Sequence, residues 1–140
     1  MSGEVQFPKG DLMKGKRGLI MGVANKNSIA WYIAQQMHAQ GAPLAFTYAN
    51  EALARRVRPL AESVDAELIL ECDVLSDASM ETAFKTVEDK WGELDFLVHA
   101  IGFSNKDELN GRYVDTTRDN FLRTMDISVY SFTAVAKRAA

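Results

Sequence analysis

A single cysteine, three prolines and no apolar run of membrane-spanning length mark this 140-residue chain. With Cys72 alone, neither a disulfide framework nor a thiolate metal cluster can form within it, so a reducing cytoplasm is the expected setting and no metal site is expected. No apolar stretch approaches the roughly 20 residues that cross a bilayer, so no membrane partner is expected. Basic residues are not in excess: 16 Lys and Arg stand against 19 Asp and Glu. The resulting mild acidity argues against nucleic acid as a partner. Residues 1–13 contain no apolar signal core and read as a loose N-terminal extension. What is present is an ordinary globular composition, 47% hydrophobic and 25% charged, which suffices for one domain with a real core.

Four short β-like runs alternate with helical stretches. The strands are expected at Arg17–Met21, Leu44–Tyr48, Glu67–Cys72 and Leu94–Ala100. Between the first two, Ser28–Gln40 places Ile29, Ala30, Ile33, Ala34 and Met37 on one helical face, and Gly41 supplies the stop. Asn50–Glu62 is more polar, and Pro59 is expected to break or end it. Ser76–Trp91 follows the 3.6-residue period through Met80, Ala83, Phe84, Val87 and Trp91, with Ser76 or Asp77 as N-cap. Apolar strands separated by helices of this length predict an α/β fold, a Rossmann-type doubly wound parallel sheet with visible strand order 3-2-1-4. After the fourth strand a polar loop, Ser104–Gly111, leads to a long helical pattern. That pattern starts near Thr116 or Thr117 and directs Phe121, Leu122, Met125, Val129, Phe132 and Ala136 inward. It reaches Ala140 without a stop signal, so residues 14–140 are expected to form a dinucleotide-binding domain incomplete at its C-terminus.

In an open parallel sheet, ligands collect beyond the carboxyl ends of the strands where strand order reverses. Gly22 closes the first strand and opens a small-residue turn to Ser28, directly before a helix. This arrangement offers backbone N–H groups to a pyrophosphate, although the second and third glycines of G-x-G-x-x-G are missing. Ala49, Asp73-Val74 and Ala100-Ile101-Gly102 end the other strands. A carboxylate at Asp73 suits the exocyclic amine of adenine, Val74 and Ile101 offer apolar surface to a ring, and Gly102 leaves room beside a ribose.

The same strand ends carry a family resemblance. The ordered set Gly22-Val-Ala-Asn-Lys-Asn-Ser28-Ile29-Ala30, Ala45-Phe-Thr-Tyr48, Cys72-Asp73-Val74, His99-Ala-Ile101-Gly102-Phe103 and Asp126-Ile-Ser-Val-Tyr130-Ser-Phe resembles the bacterial enoyl-acyl-carrier-protein reductases. These form a divergent branch of the short-chain dehydrogenase/reductase superfamily. The likeness runs from about Lys14 to the chain end. It departs from the wider superfamily at Gly-x5-Ser-Ile, at His-Ala-Ile-Gly and at Ser128, which stands where a helix asparagine is usual. The resemblance implies NADH-dependent reduction of a trans-2-enoyl thioester on acyl carrier protein, in a homotetramer. Hydride goes to the β-carbon and a proton to the α-carbon, and a Tyr-x6-Lys pair stabilises the enolate and holds the nicotinamide ribose. That pair lies beyond Ala140, so no catalytic residue is assigned here, and the spacing of Tyr130 and Lys137 is read as a coincidence. The expected cofactor contacts are Gly22, Ala24, Ser28, Ile29, Ala49, Asp73, Val74, Ala100, Ile101, Gly102 and Ile127. Phe103 and Ser104 are the expected substrate contacts.

Simpler roles stand beside these. Ser28 can be an N-cap, Asp73 a turn initiator, His99 a hydrogen-bonded core residue, Cys72 an inert strand residue and Trp31 a packing residue. NADH is favoured over NADPH because Glu51 lies nearer the end of the second strand than Arg55 and Arg56, and no basic residue occupies that end. The competing functions are another short-chain reductase acting on a ketone or sugar, and a non-catalytic nucleotide-sensing domain.

Overall fold

Gly18–Met21 (β1) is an unbroken apolar run with all four residues buried, as a strand covered on both faces requires. The computed structural model describes residues 6–140. Around β1 it arranges α1 (Ile29–Ala39), β2 (Leu44–Tyr48), α2 (Glu51–Ser63), β3 (Leu68–Glu71), α3 (Asp77–Trp91) and β4 (Phe96–His99). The strands are parallel in the order 3-2-1-4. Each predicted strand is present: β2 has the expected bounds, and β1, β3 and β4 are one, two and three residues shorter than expected. Side-chain alternation sends Leu19, Met21 and Ala45 to one face and Ile20, Leu44 and Phe46 to the other. On the first face they meet Met80, Phe84, Val87 and Trp91 of α3. On the second they meet Ala30, Trp31 and Ala34 of α1 and Val57 and Ala61 of α2.

At their amino ends β1 and β4 are latched together. The Arg17 carbonyl accepts from the N–H groups of Asp95 and Phe96, at 2.9 and 3.2 Å. The Arg17 N–H donates to the Asp95 carboxylate at 2.8 Å, and its guanidinium reaches the Trp91 carbonyl at 2.7 Å.

Several expectations are corrected. Residues 7–13 do not hang loose: Gly10 and Met13 donate backbone N–H groups to the carbonyls of Ala39 and Gln40, and Phe7 packs edge-on against Tyr32. Residues 1–5 of the expected extension lie outside the described residues. Pro59 sits inside α2 without ending it. The helix has a side-chain cap, Asn50 Oδ1 accepting from Leu53 N–H at 3.1 Å, and Ala54, Val57 and Ala61 anchor it while the proline ring faces solvent. Ile29 is 77% exposed, and its expected inward place is taken by Trp31, which packs against Phe46.

The helical pattern after residue 116 is in three pieces: α4 (Arg118–Met125), a π-helical turn (Asp126–Tyr130) and α5 (Ser131–Ala139). Its large apolar residues Phe121, Leu122, Met125, Val129 and Phe132 are 41–59% exposed, and Asn120, Ser131, Ala134 and Val135 point inward instead. Two causes account for this reversal. The Asn120 carboxamide is held inward by Asn105 N–H and Ser104 Oγ, both at 3.0 Å. The extra residue of the π turn then shifts the helical phase, so that small side chains meet α3 and β4. Two short 3-10 turns, Lys106–Glu108 and Tyr113–Asp115, interrupt the preceding loop. Among the described residues no helix is long and apolar enough to cross a membrane.

Candidate functional site

The carboxyl ends of all four strands open into one cleft of about 490 Å³, a size typical of small-molecule sites. Gly22 forms its base. Its φ of +105° is disfavoured for any side chain, and a Cβ there would lie 2.1 Å from the Ala100 carbonyl oxygen. Only a glycine lets the turn after β1 lie directly against the segment after β4. Ala24, Ala49, Asp73, Val74, Ala100, Ile101, Gly102, Phe103 and Ile127 line the same cleft, so ten of the thirteen residues singled out in the sequence converge there.

Three do not. Ser28, Ile29 and Ser104 are outside the lining. Ser104 is turned aside to accept from the Asn120 carboxamide. Ile29 projects into solvent at the start of α1. Ser28 occupies the N-cap position, but its side chain does not cap α1. Instead its oxygen accepts from Ala24 N–H at 2.9 Å and Asn25 N–H at 3.1 Å, while Asn25 Oδ1 accepts from Asn27 N–H at 2.8 Å. A hydroxyl and a carboxamide thus fold the turn that glycines shape in G-x-G-x-x-G. With the N–H groups of Ala24, Asn25, Asn27 and Ser28 engaged internally, the Ser28 hydroxyl hydrogen and the first N–H groups of α1 are among the donors left for an anion.

Asp73 holds two roles at once. Its Oδ1 accepts from Leu75 N–H at 2.9 Å and its own N–H donates to Ser79 Oγ at 2.9 Å. Its second carboxylate oxygen has no partner among the described residues, leaving an acceptor toward the cleft. Cys72 beside it is 3% exposed, and burial first, then the Asp73 charge, pushes its thiol up to about 11. It is therefore a neutral, unreactive wall residue near pH 7.

Tyr48, Leu53 and Arg123 also line the cleft and were not singled out as contacts. Tyr48 ends β2, where the period-2 pattern gives no sign of its tip. Its hydroxyl accepts from Arg58 at 2.9 Å. Arg123, the one cation of the lining, stacks 5.3 Å over Phe103, and the misassigned helix face hid it. Glu51, Arg55 and Arg56 stand outside the lining, where Asn50 is the polar group next to Ala49. Tyr130 and Lys137 are outside it too. His99 is a half-buried, hydrogen-bonded residue, 2.8 Å from Ser131 Oγ, and burial lowers its pKa.

The profile of the family described as enoyl-(acyl carrier protein) reductase matches residues 22–140. The chain belongs to this family. Enoyl-[acyl-carrier-protein] reductase [NADH] 2 of Rhizobium meliloti is 61% identical over 129 residues, which is 92% of this chain and 48% of that protein. The enoyl-(acyl-carrier-protein) reductase of Anaplasma phagocytophilum, solved in complex with NAD, superposes with a TM-score of 0.91 at 51% identity, covering 96% of this chain and 51% of that one. The Bacillus cereus enzyme, solved with NADP+ and an indole naphthyridinone, gives 0.88 at 46% identity, over 92% of this chain and 51% of that one. The chain spans about half the length of the curated relatives it matches.

Proposed function

We propose that this chain is the cofactor-binding part of an NADH-dependent reductase of trans-2-enoyl thioesters carried by acyl carrier protein in fatty-acid elongation. One observation carries the reading: the Gly22 turn, Asp73-Val74 and Ala100-Ile101-Gly102 meet in a single cleft whose base only a glycine permits. The residues fit an adenine dinucleotide. Asp73 accepts from the adenine amine, Val74 and Ile101 cover apolar ring surface, and Ser28 with the start of α1 donates to the diphosphate. Phe103 borders the acyl group. When bound, the reduced nicotinamide supplies the hydride for the β-carbon. The end of β2 carries no cation into the cleft for a 2′-phosphate, which favours NADH over NADPH.

Work in the cytoplasm and assembly as a homotetramer complete the proposal. The exposed stripe of Phe121, Leu122, Met125, Val129 and Phe132 supports assembly, since an apolar face of this kind suits burial between subunits.

The test has two arms. Titrating these 140 residues with NADH, read by nicotinamide fluorescence, should give saturable binding, and Asp73→Ala should weaken it roughly tenfold. In protein that extends through a Tyr-x6-Lys segment, NADH should be consumed with a crotonyl thioester and not with a simple ketone. Consumption with the ketone alone would overturn the enoyl assignment, and absence of any NADH binding would overturn the cleft.

A further inference from the structure

The carboxyl end of β4 and the π turn are joined by a short chain of polar groups. In the π turn the Ser131 N–H bonds the Asp126 carbonyl, five residues back. The Ile127 carbonyl thereby loses its ordinary helical donor, the N–H four residues on. The Ser131 hydroxyl takes that place at 2.6 Å and is itself fully buried. Having given its only hydrogen to Ile127, the hydroxyl can only accept from His99 Nε2 at 2.8 Å, so Nε2 carries the imidazole proton. The ring is further steadied edge-on against Phe132, at 5.5 Å and 85°. Within the same turn, Ser128 Oγ accepts from Phe103 N–H at 3.0 Å. Ile101, Phe103 and Ile127 all line the cleft, and these two serines connect the strand side of that wall to its helix side.

We infer that His99 is a positioning residue: through Ser131 it holds the π turn open at Ile127 and so fixes the distance between the Ile101–Phe103 and Ile127 walls of the nucleotide cleft. His99 itself lies outside the cleft lining. A donor at Nε2 is its whole contribution, and the neutral ring provides it. The inference rests on the proposed nucleotide reading for one of its two readouts only.

The experiment compares the chain with His99→Leu, which removes the donor, and His99→Gln, whose amide restores one. Amide hydrogen exchange should accelerate roughly tenfold at Phe103 and across residues 127–132 in His99→Leu, the effect of unpairing a buried hydroxyl. Exchange at Leu19–Met21 of β1 should stay unchanged. The Kd for NADH should rise by a similar factor, and His99→Gln should recover both readouts to within about threefold. Should His99→Leu fail to fold, Ser131→Ala removes the same link with a smaller change and is expected to give the same local pattern. Unchanged exchange at 103 and 127–132, an equal acceleration in β1, or no recovery with glutamine would overturn the inference. A wild-type chain that does not bind NADH would defeat the functional reading, while the exchange comparison would still decide the role of His99.

Discussion

Strand β1, which leads into the cleft at Gly22, and the helical segment 118–139, which lines it with Arg123 and Ile127, are built on different terms. Every residue of β1 is buried, with Leu19 and Met21 in one core and Ile20 in the other. The helical segment turns its largest apolar residues outward and meets the sheet through Ser131, Ala134 and Val135. The strand is held by area removed from water. The helical segment shares that core through small buried side chains, Ala134 and Val135, and is tied to β4 and the segment after it by two serine hydroxyls and one carboxamide. Apolar burial tolerates small errors of position, whereas hydrogen-bonded contacts fix distance and direction, which is what a cleft wall requires.

The contrast can be broken by substitution. The largest loss is expected from Phe46→Ala in the neighbouring strand β2: Phe46 is fully buried, and its removal should cost about 4 kcal/mol in urea denaturation. Gly22→Ala should cost about 3 kcal/mol, combining a disfavoured φ with a collision against the Ala100 carbonyl, and should also abolish NADH binding. A third effect depends on pH. Cys72 has an ordinary value of 9.0, and burial raises it to about 11 in the folded chain. Between these values the unfolded thiol ionises while the folded one keeps its proton, so stability present below pH 9 is lost as pH rises toward 11. The loss should approach about 2 kcal/mol and vanish in Cys72→Ala, as thermal melts across that range would reveal. The smallest effect belongs to the helical stripe. Phe121→Ala in the isolated chain should change stability by no more than about 0.5 kcal/mol, because the ring is 44% exposed. A cost near that of Phe46→Ala would erase the distinction between the two regions.

The same distinction governs what could be read from the residues alone. Strand order, the three crossover helices and the glycine turn were legible because each leaves a local mark: a two-sided apolar run, a 3.6-residue stripe, a cap. Ser76 caps α3 as expected, accepting from Ser79 N–H at 3.2 Å. Ten of the thirteen candidate contacts met in one cleft because strand ends of a parallel sheet must share a rim. The misses share a cause too. The inward face after residue 116 was assigned by apolarity, but Asn120 and Ser131 point inward to make hydrogen bonds that no periodicity encodes. A π turn has no sequence signature of its own, and one extra residue rotates everything after it. The cap alternative for Ser28 stayed open because an N-cap and a turn-closing hydroxyl use the same residue type at the same place. Pro59 looked like a breaker because the lost hydrogen bond is local, whereas the packing of Val57 and Ala61 that outweighs it is not.

The latch at Arg17 gives the cleft a mechanical character. Beyond their shared strand pairing, β1 and β4 are pinned at the end opposite the cleft by backbone and carboxylate contacts from Asp95 and by the reach of Arg17 to Trp91. At the rim the same pair is closed by the Ala100 N–H on the Met21 carbonyl at 3.0 Å, so the two strands are tied at both ends and the floor they lend the cleft keeps its spacing.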